Sequence, residues 1–326
     1  MEQEKSEMIQ SKKSEKRYFK EQRKRNRKLR GKSDRQLLIM SLPAMLKLLI
    51  FAYLPMVGIV MAFQDYSPVL GFFKSEFVGF KNFEFFFKSD DAVRVTRNTI
   101  LMNLLFIVGG LVVSLTIALI MNEMRNKYVL KTVQTMMFVP YFISWSLVGI
   151  ILTAFLESRG ILTNAILQLT GQKLDFYTNY RYWTVILVVM NIWKGAGVSG
   201  IIYYANMLSI DKEYYEAAAL DGANRLQCAW HITLPEMKTM ITVLTVMSLG
   251  GIIRGDFGLF YFGTRNQSML YPITDVIDTY VFRALSTQGD FAMASAVGLF
   301  QSVVGMILIL STNAVVRKVN RKAALY

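Results

Sequence analysis

The chain has 326 residues, of which 53% are hydrophobic, and it carries a formal net charge of +14. Several apolar runs reach the length of about 20 residues that a helix needs to cross the hydrocarbon core of a bilayer. This pattern excludes a soluble globular protein and predicts an all-α polytopic membrane protein. The one cysteine, Cys228, excludes an internal disulfide framework, and with one histidine, His231, no metal site is predicted.

The excess positive charge is concentrated at the start of the chain, where residues 1–36 contain fourteen Lys and Arg. Residues 1–35 are nearly free of aliphatic side chains and bury too little apolar area to fold alone. They are predicted to form a disordered cytoplasmic tail or a helix on the lipid surface. Their charge attracts anionic lipid headgroups. Nucleic acid is the less favoured alternative partner, and none is predicted.

Six apolar segments follow, in a predicted membrane domain that covers residues 36–320. Their predicted bounds are 36–63, 98–121, 130–156, 183–208, 237–261 and 291–316. Pro43 and Pro55 are expected to bend the first segment and Pro140 to interrupt the third, because proline lacks the N–H that a helix uses. The phenylalanine-rich residues 64–97 are typical of amphipathic helices at the membrane interface. A stacking platform for sugar rings is the alternative.

Charge predicts the orientation of these spans. If the N-terminus is cytoplasmic, the segments on that side hold 24 Lys and Arg, including those of the C-terminal segment, whose end at 321–326 is predicted as a cytoplasmic tail. The opposite loops hold 10. Because cytoplasmic loops are enriched in Lys and Arg, both termini are predicted to be cytoplasmic, with six transmembrane helices between them.

Four charged residues lie inside the predicted spans: Lys47, Lys194, Arg254 and Asp256. A charge at the bilayer centre costs roughly 2.5 to 3.5 kcal/mol, so such residues usually face a cavity or a partner. Lys47 lies near the basic end of its span and is expected to snorkel. Arg254 and Asp256 are predicted on different faces of the fifth helix, where Asp256 accepts from a neighbouring helix or either residue lines a vestibule.

The fourth span carries Asn191, Trp193 and Lys194 near mid-depth, followed by three glycines within six positions. A polar, glycine-interrupted segment at this depth indicates a translocation path. The equally weighted alternative is a helix-packing seam in which Lys194 pairs with a carboxylate. Weaker candidates for the path are Tyr141, Trp145, Arg254, Asp256, Phe257, Phe260 and Gln301.

A polar loop at 209–236 separates the fourth and fifth spans and is too polar to cross a membrane. It contains a spaced pattern: Glu216-Ala217-Ala218, then Gly222, then, after nine residues, Ile232 and Leu234-Pro235. Ile210, Tyr214, Ala217 and Ala218 fall on one stripe of a predicted short helix. Gly222 suits the left-handed position that ends a helix. Thr233 to Glu236 is predicted to form a capping box that starts the fifth span, with Pro235 in its first turn.

This loop resembles the signature E-A-A loop of bacterial ABC importer permeases of the type I fold, and it lies where that family carries it. Further segments resemble the carbohydrate-uptake permeases for complex oligosaccharides and polysaccharide fragments, mostly of Gram-positive bacteria. The similarity covers about residues 36–320. These segments are YLPMVGI at 53–59, AFQDYSP at 62–68, FYTN at 176–179, IWK at 192–194, DFGLFY at 256–261, TDVIDTYVFR at 274–283 and AVGLFQSVVG at 296–305.

The resemblance implies a transport subunit in the cell membrane that imports oligosaccharides together with a second, homologous permease subunit. Two ATPase subunits bind the ATP and magnesium, so no cofactor is expected in this chain. An extracellular solute-binding protein or lipoprotein delivers the sugar. The residues implied in docking the ATPase are Tyr215, Glu216, Ala217, Ala218, Asp221, Gly222, Ile232, Leu234 and Pro235.

Other functions are disfavoured by the sequence but remain as alternatives. The chain lacks the Gly-x4-Gly-Lys-Ser/Thr pattern that binds nucleotide phosphates, so the subunit is not predicted to be an enzyme. Asp275 and Asp278 are close together for glycosidase carboxylates and are expected to order their segment or to contact a binding protein. An ABC permease for another solute, or an ion-coupled secondary transporter, remains the competing interpretation.

Overall fold

The computed structural model describes residues 36–319, so the predicted tails at 1–35 and 321–326 lie outside the described residues. The chain divides between Ile59 and Val60 into two units. In the first unit, helix α1 covers 36–48 and continues as a π-helical turn at Leu49–Tyr53. The helix type changes just before Pro55, whose ring displaces the carbonyl four residues earlier. It does not change at Pro43, where a second bend was expected.

The first candidate membrane span ends at Phe63, after a 3-10 helix at Leu54–Phe63. In the second unit, strand β1 (Gln64–Asp65) pairs antiparallel with strand β2 (Glu76–Phe77), which the sequence did not predict. Helices α2 (Gly71–Lys74) and α3 (Lys81–Lys88) form in the segment where interfacial helices were predicted. The Asn82 side chain holds the segment together, because its amide donates to the carbonyls of Ala62 and Gln64 at 3.0 and 2.9 Å.

The second predicted span is helix α4, Asp90–Glu123, which begins eight residues earlier than expected because Ser89 caps it. The third prediction, one span over 130–156 interrupted at Pro140, is wrong in its break point. Helix α5 (Lys127–Phe142) contains Pro140, and helix α6 (Trp145–Leu156) starts anew where the Ser144 hydroxyl accepts from the Leu147 N–H. Helix α7 (Ile161–Thr170) then completes a candidate membrane span over Trp145–Thr170.

The fourth prediction is confirmed by helix α8, Trp183–Met207, which follows a 3-10 turn at Tyr180–Tyr182. The polar loop contains helices α9 (Lys212–Leu220), α10 (Arg225–Cys228) and α11 (Leu234–Glu236), with a π-helical turn at Ala229–Thr233. The fifth prediction, a continuous span over 237–261, is wrong. Helix α12 ends at Gly250, and the helical backbone resumes at 257–258 and continues as a π-helical turn at Leu259–Gly263.

Short elements connect this turn to the last span. They are a 3-10 turn at Ser268–Leu270, helices α13 (Tyr271–Thr274) and α14 (Ile277–Arg283), and a π-helical turn at Ala284–Gln288. Helix α15, Phe291–Val319, confirms the sixth predicted span. Within the described residues, five helices are long and apolar enough to cross a membrane, or six if the pair Arg225–Glu236 and Lys238–Gly250, bent by 63°, counts as one.

The main packing seam joins α8 to α4 and α5. The largest buried cluster contains Met102 and Phe106 of α4 with Trp183 and Leu187 of α8, and both α8 residues are fully buried. The Trp183 indole donates to the Phe176 carbonyl at 2.7 Å, so the one polar atom of this buried ring is satisfied. This seam fixes the position of the polar residues in the middle of α8.

Candidate functional site

The polar loop at residues 209–236, called the coupling loop here after the role that the family resemblance implies, folds into two halves that meet at Gly222. This glycine has φ = +75°, and the Ala223 N–H donates to the Ala218 carbonyl at 2.9 Å. The bond satisfies a carbonyl at the end of α9 in the way that a left-handed helix end does. The predicted role of Gly222 as the end of a helix is therefore confirmed.

The second half begins with a capping box that the sequence analysis placed elsewhere. Asn224 accepts from the Gln227 N–H at 2.9 Å, and the Gln227 side chain accepts from the Asn224 N–H at 2.7 Å. The box predicted at Thr233 is wrong, because the helical backbone already runs through this residue and its side chain caps nothing. The Thr233 hydroxyl instead lies 2.9 Å from the Tyr215 hydroxyl and joins the two halves. Pro235 lies in the first turn of α11 as predicted.

The surface of the coupling loop combines large exposed apolar side chains with a groove. Tyr214, Leu220, Leu226 and Trp230 are exposed in this otherwise polar segment, Leu220 to 91%. Clustered apolar exposure of this kind indicates a surface that another protein covers. The groove, of about 370 Å³, lies between the two halves and is lined by Ala218, Asp221, Gly222, Ala223, Gln227, Cys228, His231 and Ile232.

The structure thus brings four of the predicted docking residues to the groove: Ala218, Asp221, Gly222 and Ile232. The remaining predicted docking residues lie outside it. Glu216, Ala217 and Pro235 are exposed, whereas Tyr215 and Leu234 are partly buried. An exposed ion pair between Arg225 and Glu123 connects the loop to the end of α4, a contact that contributes little stability in water.

The chain is unwound after Gly250, and side chains from three other helices hold this segment. Asn103 of α4 donates to the carbonyls of Ile252 and Arg254 at 3.0 and 2.9 Å. Gln301 of α15 donates to the Ile253 carbonyl at 2.9 Å. Unwound backbone is tolerated at membrane depth only where such partners replace the helix bonds. The prediction that Arg254 and Asp256 occupy two faces of a helix is therefore wrong, because both lie in the unwound segment.

Asp278 of α14 closes the same segment from the other side. Its carboxylate accepts from the Gly255 N–H and from the Gln301 amide, the latter at 3.2 Å. Burial raises the pKa of the Asp278 carboxyl, and these two hydrogen bonds oppose the rise. A side chain at position 255 would meet Val276 at 2.8 Å, so only glycine lets the segment approach α14 this closely. Asp278 orders the break, as the sequence analysis expected of its segment.

Lys194 lies at the broken end of α5. Its ammonium donates to the carbonyls of Pro140, Tyr141 and Ile143, and it stands 4.9 Å from the centre of the Trp145 ring. The last carbonyls of a helix lack an N–H four residues later, and α5 stops at Phe142. The Ile143 N–H donates to the Pro140 carbonyl at 3.2 Å, and Lys194 supplies the further donor to this end. The predicted seam is present, but Lys194 pairs with backbone carbonyls and not with a carboxylate.

Trp145 connects this cluster to the unwound segment. Its indole donates to the Asp256 carboxylate at 2.8 Å, which confirms that Asp256 accepts from a neighbouring helix. Asp256 also accepts from the Leu259 N–H at 3.3 Å. The structure therefore brings Lys194, Trp145 and Asp256, predicted separately, into one polar cluster between the breaks in two spans.

A cleft of about 470 Å³ lies between α4, α8 and α12. Asn191 and Ser199 of α8 line it, together with Asn103 and Ser114 of α4. The Ser114 hydroxyl is buried and has no hydrogen-bond partner among the described residues. Polar groups spaced along an apolar cleft are typical of a small-molecule site. Of the three leading path candidates, Asn191 lines this cleft, whereas Trp193 and Lys194 do not.

The other aromatic candidates separate into exposed and buried residues. Trp193 and Tyr141 are exposed, to 42% and 52%. Phe257 stacks on Tyr261 at 4.9 Å and packs against Phe282 at the same distance. Phe260 is fully buried, 6.0 Å from Phe106, and belongs to the main apolar core. It is therefore not among the residues that line the cleft between α4, α8 and α12.

Asp275 is a structural residue that the sequence analysis did not assign to the site. Its side chain is fully buried; Arg283 donates to both carboxylate oxygens at 2.8 Å, and Arg94 donates to one at 3.0 Å. No local sequence motif indicates the bond between Arg94 and Asp275, because the two residues are 181 positions apart. Within residues 36–319, no three His, Cys, Asp or Glu side chains are close enough to hold a metal ion.

A family model, similar sequences and a solved structure all indicate the same family for this chain. Residues 110–323 match the family described as "Binding-protein-dependent transport system inner membrane component". Protein LplB of Bacillus subtilis is 38% identical over 89% of this chain and 91% of its own. The polygalacturonan/rhamnogalacturonan transport system permease protein YteP of Bacillus subtilis is 36% identical over 87% of this chain and 88% of its own.

A solved structure is similar to the fold described above. It is a bacterial alginate ABC transporter in complex with an alginate pentasaccharide-bound periplasmic protein. One of its chains is 34% identical, with a TM-score of 0.79 over 88% of this chain and 96% of its own. The fold described above is thus similar to that of a chain of a known ABC transporter. The chain belongs to the binding-protein-dependent transport system inner membrane components and is a permease of an ABC transporter.

Proposed function

We propose that this chain is one transmembrane subunit of an ATP-driven importer of oligosaccharides released from polysaccharides. The observation that carries the proposal is the similarity, over 88% of the chain, to a transporter crystallised with an alginate pentasaccharide-bound periplasmic protein. The name of the relative YteP, a permease for polygalacturonan and rhamnogalacturonan, supports the same substrate class. The protein acts in the cell membrane, and the two Bacillus subtilis relatives favour a Gram-positive source.

The sugar path runs along the cleft between α4, α8 and α12. Asn191 and Ser199 supply hydrogen-bonding groups on an otherwise apolar wall, which suits a substrate that is polar at its rim and apolar on its ring faces. The unwound segment beside α12 supports this placement, because discontinuous helices near the middle of a membrane often carry transporter binding sites. Trp193 and Tyr141, which are exposed, are candidates to stack on sugar rings or to face a second subunit.

The chain works within a larger complex. A second, homologous permease completes the path, and an extracellular solute-binding protein delivers the sugar. Two ATPase subunits carry the ATP and magnesium, since this chain lacks a nucleotide-binding motif. We assign no catalytic residue to this chain.

The coupling loop is the docking surface for an ATPase subunit. Exposed Leu220, Leu226 and Trp230 provide apolar contact area, and the groove at Gly222 accepts a side chain of the ATPase. Because Tyr215 and Thr233 join the two halves of the loop, movement of the docked surface is passed on to α12 through α11. A transport cycle then needs two states of the permease pair that ATP binding and hydrolysis favour in turn.

Uptake into proteoliposomes tests this function. The complete importer, with its ATPase and solute-binding protein, is supplied with labelled oligosaccharides from a pectin digest, and internal ATP is present or absent. We expect accumulation only with ATP, and none when this chain is omitted. Uptake without ATP would favour a secondary transporter. Uptake of phosphate or an amino acid in place of any oligosaccharide would contradict the substrate class.

A further inference from the structure

The unwound segment after α12 carries one arginine, Arg254, whose backbone is held by neighbouring side chains but whose guanidinium is not. The backbone of this segment is bound on all sides, through the carbonyls of Ile252, Ile253 and Arg254 and the N–H of Gly255. The Arg254 side chain is exposed, and it forms no hydrogen bond or ion pair with any residue in 36–319. A rigid backbone therefore presents a free guanidinium.

Arg254 lines a second cleft, separate from the one at Asn191. This cleft, of about 520 Å³, lies between α12 and α15, and its polar lining also includes Gln301 and Ser302. Gly250 brings the two helices together, since a side chain there would meet Ile309 at 2.2 Å. The cleft is concave and large enough for a sugar ring, and Arg254 is the one charged residue among the described residues that line it.

The depth of Arg254 makes an unpaired charge costly. Helix α12 has 13 residues, so about 20 Å of helix separates the coupling loop from the unwound segment. A charged side chain costs roughly 2.5 to 3.5 kcal/mol at the bilayer centre, and a charge within a membrane normally has a partner or a function. Asp278 is close enough to interact electrostatically, but its carboxylate is engaged by Gly255 and Gln301. These two donors are neutral, and the Asp278 carboxylate forms no ion pair with the guanidinium. A carboxylate in direct contact with Arg254 therefore has to come from outside the described residues.

We propose that Arg254 binds the carboxylate of a uronic-acid unit as an acidic oligosaccharide passes the cleft between α12 and α15. This inference rests on the proposed function and narrows its substrate class to sugars that carry carboxylates. A planar guanidinium matches the two oxygens of a carboxylate in a bidentate arrangement, which is stronger than a bond to a neutral hydroxyl. The cleft between α12 and α15 thus distinguishes acidic from neutral sugars, whereas the polar groups beside Asn191 in the first cleft bind both.

The test compares one sugar with and without its charge. Trigalacturonate and its fully methyl-esterified form share one sugar backbone, and in the ester each negative carboxylate is replaced by a neutral methyl ester. Import of each is measured in proteoliposomes with the complete importer, as wild type, Arg254→Gln, Arg254→Lys and Arg181→Gln. The last variant is the matched control, because it removes the same charge from an exposed turn outside the cleft.

We expect Arg254→Gln to lower import of trigalacturonate at least tenfold and to change import of the ester less than twofold. Arg254→Lys should retain part of the acid import, and Arg181→Gln should leave both unchanged. Equal loss of both sugars, or no loss of either, would overturn the inference. Reduced recovery of the assembled complex with Arg254→Gln would also overturn it, because the guanidinium would then pair with another subunit.

The same experiment separates this inference from the function on which it rests. If the wild-type importer takes up the ester or neutral oligosaccharides but not trigalacturonate, the carboxylate site is wrong and oligosaccharide import stands. If the wild type imports no oligosaccharide at all with ATP present, both fail.

Discussion

Asp275 lies where two distant parts of the chain meet, between Arg94 at the start of α4 and Arg283 at the end of α14. Its side chain is fully buried, and Thr279 donates to it as a third partner at 3.1 Å. A buried carboxylate is tolerated when charges and hydrogen bonds surround it. Removing its charge leaves Arg283 without an ion pair among the described residues and leaves Arg94 with Asp91. Asp275 therefore holds α13 and α14 against α4.

Asp275→Asn tests this role against a control on the same arginine. The variant should lose about 1.5 to 3 kcal/mol of stability, because the fully buried carboxylate no longer offers charge-assisted hydrogen bonds to two partly buried arginines. Asp91→Asn removes the exposed partner that lies 2.7 Å from Arg94 and should cost less than about 1 kcal/mol. Thermal unfolding of the purified complex measures both, and equal shifts of the two midpoints would refute the role.

The sequence indicates that Lys194 is important, but it does not show which groups the lysine contacts. A lysine at mid-depth of an apolar span is a visible anomaly, and its importance follows from the cost of a buried charge. Its partners are not visible, because they are backbone carbonyls some 50 residues away that become free only when α5 ends at Phe142. The residue alone therefore does not decide whether Lys194 lines a translocation path or packs in a seam between helices.

At the scale of elements, the glycines of α8 have unequal roles that their spacing does not show. A side chain on Gly197 would lie 2.2 Å from the Met137 carbonyl of α5, whereas one on Gly195 would meet nothing within 4 Å. The helix runs unbroken through both positions. Close approach of α5 and α8 thus depends on Gly197.

This difference predicts opposite outcomes for the same substitution two residues apart. Gly197→Ala should destabilise the protein by about 1 to 3 kcal/mol, because a backbone atom has to move. Gly195→Ala should leave stability unchanged or raise it by up to about 1 kcal/mol, since alanine favours a helix. The thermal midpoints of the two purified variants measure this, and a Gly195→Ala loss as large as that of Gly197→Ala would contradict the packing seam.

The break in the fifth span could not be predicted from local composition. Residues 237–261 are apolar enough for one continuous helix, and the chain departs from it because Asn103, Gln301 and Asp278 offer replacement partners. Those side chains come from α4, α15 and α14. By contrast, the spans at α8 and α15 follow directly from length and hydrophobicity, and their predicted starts and ends lie within three residues of the observed ones.

At the scale of the whole molecule, the sequence predicted the transporter class because its decisive pattern is local. The spacing from Glu216 to Pro235 is contained in one loop, and the left-handed φ of Gly222 confirms the geometry that the pattern implied. The two clefts are non-local, since each needs residues from separate helices to meet. The role proposed for Arg254 accordingly depends on the hydrogen bonds around it, which the sequence does not show.

The central claim is that a separate ATPase drives import through the coupling loop, and Gly222 tests it most directly. The number of oligosaccharide molecules imported per ATP hydrolysed is measured for the reconstituted importer with Gly222→Val and Gly222→Asn. A β-branched residue is strained at φ = +75°, whereas asparagine adopts this conformation more readily. We predict that the valine variant still hydrolyses ATP but that its ratio falls at least tenfold, while the asparagine variant stays near wild type. A wild-type ratio in Gly222→Val would contradict the account.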